Sequence, residues 1–576
     1  MANKYDVNND LHNEKTNSAD AVVQMLMMKL AQELPPAEYK NFIRKQIWVT
    51  LSDGVRLICD AHLPDGEGPW PVILQRSPYG PVALPEQDLM GQILAKRGYV
   101  YVANRCRGTG LSEGHITAFE QEIKDGEEVL DFIAAQDFCN GNIGTYGASY
   151  MGHVQWSVAG SKNLALKTMY IQVFGAHPYE NFYRNGLLRQ EIWQSWITGN
   201  GGNARDRSEE VAAKLYEQAF EVKPPEKIGE VLLSDPADWA MKILASPEEK
   251  EDAWQRGFWK EYEEQAKKLN LPILLQCGWF DLFCQSELDT WRMLPDETRK
   301  KSLCLVGPWD HYGFTNHVLP YKDEDRYGVM QIKTAIAWFD HFLKGKPLTL
   351  QTGGMEVYCI GEDTWKFYPD DLPEGEKAEF YLGDHVLDKK RQEQGCYTYT
   401  YDPKYPVESL SLGLNRGTLI GPAAGEREQV YSFVSEPLTE DVALLARMKL
   451  KLYLSSTAPA TALTVWLYDV REDGNAYLVY DDGKDIRYEG GQFEHYEPGT
   501  VKKVTLECQE MAWTFKKGNR IRIDISSSDF PWYNAHNNTE VPWGKATESV
   551  IAENTIYFGG DFPSTVVFPV SGRQKE

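Results

Sequence analysis

Residues 144–152 read Gly-Thr-Tyr-Gly-Ala-Ser-Tyr-Met-Gly and lie between an apolar run and a stretch with helical spacing. Ser149 therefore falls at a strand-to-helix junction, with Gly147 and Gly152 on either side. Small residues there let the chain turn tightly enough to push a hydroxyl out of the end of a sheet, where it can act as a nucleophile. The spacing, G-x-S-x-x-G, is one residue longer than the usual elbow, and a structural turn is the competing reading because Gly and Ser are common in loops. A serine hydroxyl attacks at neutral pH only when a histidine takes its proton and a carboxylate orients that histidine. Two later strand ends supply these types in the order Ser, Asp, His. The run 273–277 leads into Gly278-Trp279-Phe280-Asp281, and the run 303–306 leads into Gly307-Pro308-Trp309-Asp310-His311. Ser149, Asp281 and His311 would together move an acyl group from an ester or amide to water through an acyl-enzyme. Asp310 is a rival acid, but a neighbour of the histidine can hardly reach the far ring nitrogen while the near one faces Ser149. His153 and His317 are rival bases; His153 falls on the helix after Ser149, where packing or capping is the simpler role.

The elements that must hold these groups follow from periodicity. Apolar runs at 72–75, 99–103, 143–146, 166–172, 273–277 and 303–306 predict buried strands, and helical spacing lies between them at 88–96, 126–135 and 150–159. Alternating strand and helix predicts an α/β architecture, a mainly parallel sheet covered on both faces. Ahead of it, 47–50 and 57–62 flank Ser52-Asp53-Gly54, the turn chemistry of a hairpin. The alternation stops over 175–265, which reads as a helical cap, and a helix over 327–343 ending at Gly345 closes the α/β part. Beyond 350, short runs at 378–382, 449–455, 462–468, 501–506 and 520–525 without intervening helices predict a β-sandwich or jelly roll. The division is thus an N-terminal arm at 1–45, a core at 46–174 and 266–348, a cap at 175–265 and a β domain at 349–576. A helix over 19–34, capped by Asn17 or Ser18 and stopped by Pro35-Pro36, reads as a packing arm or a subunit contact, which is compatible with a homodimer.

Composition narrows the function classes. The chain has 576 residues, enough for two or three domains, and 42% of them are hydrophobic, so it can build cores. A formal charge of −24 with no basic run argues against nucleic-acid and anionic-membrane partners. Nine cysteines without paired CxxC spacing suit a reducing, cytoplasmic setting. No run approaches the roughly 20 apolar residues of a membrane span, and Asp6, Asp10, Glu14 and Asp20 spoil a signal peptide's basic start. Neither GxxxxGK[ST] nor HExxH occurs, so no cofactor and no metal are expected; Asp481-Asp482-Gly483-Lys484-Asp485 reads as a solvated turn and not a calcium loop. Gly108-Thr109-Gly110-Leu111-Ser112-Glu113-Gly114 misses the dinucleotide spacing by one residue and reads as a shaped loop.

With those residues set out, the chain after about Ile47 resembles the bacterial cocaine esterase and X-Pro dipeptidyl peptidase family of α/β-hydrolases. The likeness rests on Ser52-Asp53-Gly54-Val55-Arg56-Leu57, Arg76-Ser77-Pro78-Tyr79, Asn104-Arg105-Cys106-Arg107-Gly108 and Cys139-Asn140-Gly141-Asn142-Ile143-Gly144, with the Ser149-Tyr150, Asp281 and His311 motifs. It implies an α/β-hydrolase core, a helical cap between nucleophile and acid, and a C-terminal jelly roll. It also implies that Tyr79 offers its hydroxyl, beside the Tyr150 N–H, to the oxyanion; from the residues alone Tyr79 is a loop tyrosine after proline. Departures are Phe138, where the family often has tryptophan, and Ala460-Thr461-Ala462-Leu463, where an acidic stretch is typical.

For the substrate, Phe283 matches an aromatic position of the esterase acyl pocket, and Trp193 and Trp196 could line the same space or simply form the cap's core. Relatives that act on α-amino acid esters place acids just after the catalytic aspartate, whereas Leu282, Phe283 and Cys284 follow Asp281 here. X-Pro peptidases carry a larger N-terminal domain than the 45 residues available. The expectation is a small-molecule carboxylic ester, with an X-Pro dipeptidyl-peptidase or acylase-type amide hydrolase as the alternative. A carbohydrate-binding jelly roll on a degenerate scaffold is the non-enzymatic one.

Overall fold

The computed structural model describes residues 33–79, 84–200, 208–233, 238–316, 318–328, 331–373, 375–414 and 416–570. The expected arm helix at 19–34 and the rival base His317 thus lie outside the described residues, apart from Glu33 and Leu34. A ten-stranded sheet organises the first part. Its strands are β1 (Phe42–Thr50), β2 (Arg56–Pro64), β3 (Trp70–Ser77), β4 (Val100–Arg105), β5 (Cys139–Ala148) and β6 (Leu166–Gln172). After the cap come β7 (Ile273–Gly278), β8 (Leu303–Gly307), β9 (Gly354–Cys359) and β10 (Thr364–Pro369). Their order across the sheet is β1-β2-β4-β3-β5-β6-β7-β8-β9-β10. From β4 to β9 every pairing is parallel. The β1–β2 hairpin turns at Gly54 with φ 88°, a conformation glycine adopts without strain.

Alternation along the strands divides the core in two. Val72 and Leu74 of β3 and Val100 and Val102 of β4 pack with Val129, Leu130 and Ile133 of helix α2 (Glu122–Ala134). Ile73, Tyr101 and Ala103 point the other way, toward Met90 and Leu94 of helix α1 (Leu84–Ala95) and Ile336 and Phe339 of helix α5 (Ile332–Lys344). A period of two on strands buried on both faces produces this layering. Helix α3 (Tyr150–Trp156) follows β5 and helix α4 (Cys284–Met293) follows β7. The cap, inserted between β6 and β7, is built mainly of helices, among them Gln190–Asn200, Glu209–Ala219 and Gly257–Ala266. The C-terminal part is a twelve-stranded antiparallel-rich β-sandwich, whose longest strands Val442–Ser456 and Lys502–Phe515 pair over most of their length. Among the described residues no helix is long and apolar enough to cross a membrane.

Three sequence expectations change. β9 and β10, expected in the β domain that was to start at 349, extend the first sheet to Pro369: β9 pairs parallel with β8, and β10 returns antiparallel beside it. A short hairpin without a helix reads like β-domain sequence, yet an antiparallel edge is a common finish to a parallel sheet. The closing helix begins at Ile332 instead of 327, because Gln331 has φ 53° and breaks the helical path. The acidic run at 481–485 is buried strand, not a solvated turn. Arg184 of the cap sits 2.8 Å from Asp482, and Arg487 and His536 hold Asp485 at 2.8 and 3.0 Å. Charges go inside when partners satisfy them.

Candidate active site

Ser149 stands at the β5–α3 junction with φ 59° and ψ −126°, a strained backbone for a residue with a side chain. The two glycines make that turn possible. A Cβ on Gly147 would lie 2.5 Å from Met151 Cβ, and one on Gly152 would lie 2.9 Å from the Gln172 carbonyl oxygen and 3.1 Å from Phe174 Cβ. The longer G-x-S-x-x-G spacing thus reflects where α3 meets β6. The Ser149 N–H donates to the Gln172 carbonyl at 3.0 Å, which ties the turn to the neighbouring strand.

The loops after β7 and β8 are laced together. The N–H groups of Trp279 and Phe280 donate to the carbonyls of Gly307 and Trp309 at 2.9 and 3.1 Å. A Cβ on Gly278 would meet the Trp309 carbonyl at 2.0 Å, so only glycine admits this approach. The lacing brings His311 Nδ1 within 2.8 Å of Asp281 Oδ1, with Asp281 2% and His311 5% exposed. The β domain assists, since the His311 N–H reaches the Leu414 carbonyl at 3.4 Å. Asp310 is occupied elsewhere: its Oδ1 accepts the N–H groups of Tyr312 and Phe314 at 2.8 and 3.1 Å, and burial pushes its carboxyl up. His153 is packed among Phe119, Tyr150, Phe174, Trp259 and Tyr262, and burial drops its pKa to about 3.

Ser149, Tyr79, Tyr150, Phe283, Trp193, Trp196 and His311 all line one cavity of about 530 Å³. Asp281 stands behind His311, away from that wall. The Tyr79 hydroxyl donates to Ser149 Oγ at 3.3 Å, and the Tyr150 N–H and the Trp196 side chain lie near the same phenol oxygen. Burial raises the Tyr79 pKa, so the hydroxyl keeps its proton. The Tyr150 ring is locked by bonds to Glu122 (2.9 Å) and the Phe119 N–H (2.8 Å), which fixes the start of α3. No hydrogen bond of 3.5 Å or less joins Ser149 to His311 among the described residues; such contacts commonly tighten only with substrate bound.

On the substrate side, Phe283 packs against Phe174 and the His311 ring with centroids 5.0 and 5.5 Å apart. Trp196 stacks on Tyr150, and Trp193 stacks on Phe182, so each serves the cap's core as well as the cavity wall. Phe119, Leu414 and Glu86 are among the lining residues that escaped the sequence reading. Glu86, near the start of α1, brings a solvent-exposed carboxylate to the edge of a mostly aromatic wall. Nothing in the local pattern marks these three. Among the described residues no group of three or more His, Cys, Asp or Glu could hold a metal.

Known proteins share this layout. The X-Pro dipeptidyl-peptidase (S15 family) profile matches residues 53–313, and that of the X-Pro dipeptidyl-peptidase C-terminal non-catalytic domain matches 350–567. The cocaine esterase of Rhodococcus sp. (strain MB1 Bresler) is 28% identical, covering 92% of this chain and 99% of that protein. A putative Xaa-Pro dipeptidyl-peptidase of Bacillus anthracis is 23% identical over 79% of this chain and 72% of its own length. Among solved structures, an aminopeptidase from a marine-sediment Thaumarchaeota archaeon superposes with a TM-score of 0.77 at 19% identity, covering 93% of this chain and 98% of that one. An alpha-amino acid ester hydrolase does so at 0.74 and 19%, with the same coverage.

Proposed function

The chain belongs to the X-Pro dipeptidyl-peptidase and cocaine esterase family of serine hydrolases, and on that premise we propose that it cleaves carboxylic esters with Ser149, His311 and Asp281. Ser149 Oγ attacks the carbonyl and passes its proton to His311 Nε2, the ring nitrogen left over when Nδ1 bonds Asp281. Asp281 holds that tautomer and stabilises the imidazolium. As the tetrahedral oxyanion forms, the Tyr79 hydroxyl and the Tyr150 N–H donate to it, and Ser149 exchanges its contact with Tyr79 for one with His311. His311 then protonates the leaving alcohol, and water repeats the sequence on the acyl-enzyme. The acyl group lies against Phe283, Trp193 and Trp196.

The observation that carries this reading is that two contacts meet around one cavity: His311 to Asp281 at 2.8 Å and Tyr79 to Ser149 at 3.3 Å. Wild-type enzyme is expected to react rapidly with a fluorophosphonate and to hydrolyse p-nitrophenyl esters, with both lost in Ser149→Ala. Undiminished ester turnover in that variant would remove Ser149 from the mechanism.

A second reading is favoured by Glu86. A carboxylate on an aromatic wall suits an ammonium group, by charge and by cation–π contact, so an amino-bearing ester or a dipeptide amide would also fit. Gly-Pro and Ala-Pro anilides run beside the ester panel decide between the two: fast anilide cleavage with inert esters would make the protein a peptidase.

A further inference from the structure

The loop that carries Asp281 is bracketed by two thiols. Cys277 is the penultimate residue of β7, Cys284 opens α4, and their sulfurs are 3.5 Å apart. All nine cysteines are free, and seven of them, this pair included, are buried. Between the two thiols the chain makes a tight turn: the Asp281 N–H donates to the Gly278 carbonyl at 3.0 Å, and the Cys284 N–H to the Asp281 carbonyl at 3.2 Å. Cys277 is also one of the residues lining the cavity that holds Ser149, which places a small oxidant bound there beside this loop.

We propose that Cys277 and Cys284 are a peroxide-sensitive modification site, whose disulfide draws the loop shut and disables the hydrolase reversibly. Hydrogen peroxide oxidises the Cys277 thiol to a sulfenic acid and leaves as water; the Cys284 sulfur then attacks the sulfenic sulfur, a second water departs, and the S–S bond closes. A disulfide spans about 2.05 Å, so the sulfurs must approach by roughly 1.5 Å from their present separation. The Asp281 carboxylate, four residues from one sulfur and three from the other, has little slack in its 2.8 Å contact with His311. Burial pushes both thiols up, which makes the reaction slow and confines it to sustained oxidant. The loss of activity rests on Asp281 being the triad acid; the cross-link itself does not.

The test uses full-length protein carrying Cys396→Ser, which removes the exposed thiol. After millimolar hydrogen peroxide, peptide mapping is expected to find 277 and 284 joined with the loss of two hydrogens. Ester turnover falls about a hundredfold, the scale of a ~1 Å misplacement, and dithiothreitol restores it. Adding Cys284→Ser makes turnover resistant to the same treatment; should that variant fail to fold, the cross-linked peptide and its reversal by dithiothreitol in the parent carry the test. Inactivation with the two cysteines still unlinked, or a complete cross-link with turnover intact, would overturn the proposal. Asp281→Asn separates the two ideas: full turnover in that variant sinks the triad reading while leaving the mapped cross-link standing.

Discussion

Replacing Tyr79 by phenylalanine removes one oxygen from the site and leaves the ring in place. That oxygen donates to Ser149 Oγ at 3.3 Å and lies near the Tyr150 N–H and the Trp196 side chain. In the proposed transition state it is one of two donors on the oxyanion, and losing one such donor costs about 3–4 kcal/mol, or 10²–10³ in kcat. The cost to folding is smaller: one neutral hydrogen bond at about 1 kcal/mol, in a half-buried loop. Ground-state binding depends on the aromatic wall, so KM for a p-nitrophenyl ester should hold. Because burial keeps the phenol protonated well past neutrality, the ratio of wild-type to variant rates should be flat between about pH 6 and 9. Stopped-flow measurement of the p-nitrophenol burst isolates acylation, where the whole loss should appear. An acylation rate within about threefold of wild type, or a loss confined to KM, would show that Tyr79 does not contact the oxyanion.

Asp281→Asn should lower kcat by about 10⁴, because an amide favours the wrong imidazole tautomer. Asp310→Asn should stay within about tenfold, since its amide oxygen can still accept the Tyr312 and Phe314 N–H groups; equal losses in the two variants would undo the assignment of the acid. Glu86→Gln should raise KM for an ammonium-bearing ester by up to about fivefold, the scale of a partly solvated ion pair. It should leave a neutral ester of the same shape unchanged, and parallel changes for both esters would remove Glu86 from recognition. His153, held near 3 in the native state against 6.5 unfolded, is neutral when folded. Above pH 6.5 it contributes no pH dependence, and below that the unfolded chain gains a proton that the native one refuses, so stability falls with pH. From pH 8 to 5 the loss should reach about 2 kcal/mol, read as a drop in urea midpoint that His153→Gln lacks; identical slopes for the two proteins would contradict the burial argument.

Much of the framework was legible without coordinates because it is local. Apolar runs of the right length became β3 to β8, Gly147 and Gly152 marked a turn that only small residues permit, and Ser52-Asp53-Gly54 marked a hairpin. Each depends on torsional preference or on which face of a strand is wet, and a few neighbouring residues decide both. Asp281 and His311 were also visible, as polar residues just past buried strands. What tertiary structure alone decided is adjacency between distant segments. The Tyr79 hydroxyl meets Ser149 across 70 residues, Leu414 of the β domain steadies His311, and Glu86 and Phe119 arrive on the cavity wall. β9 joined the first sheet by pairing with β8 and β10 by pairing with β9, which is information held in the partner strand and not in their own residues. The buried run at 481–485 looked solvated for the same reason, because the arginine that satisfies Asp482 sits 298 residues away. Burial of a charge, unlike a turn or a strand, is set by what the rest of the chain brings to it.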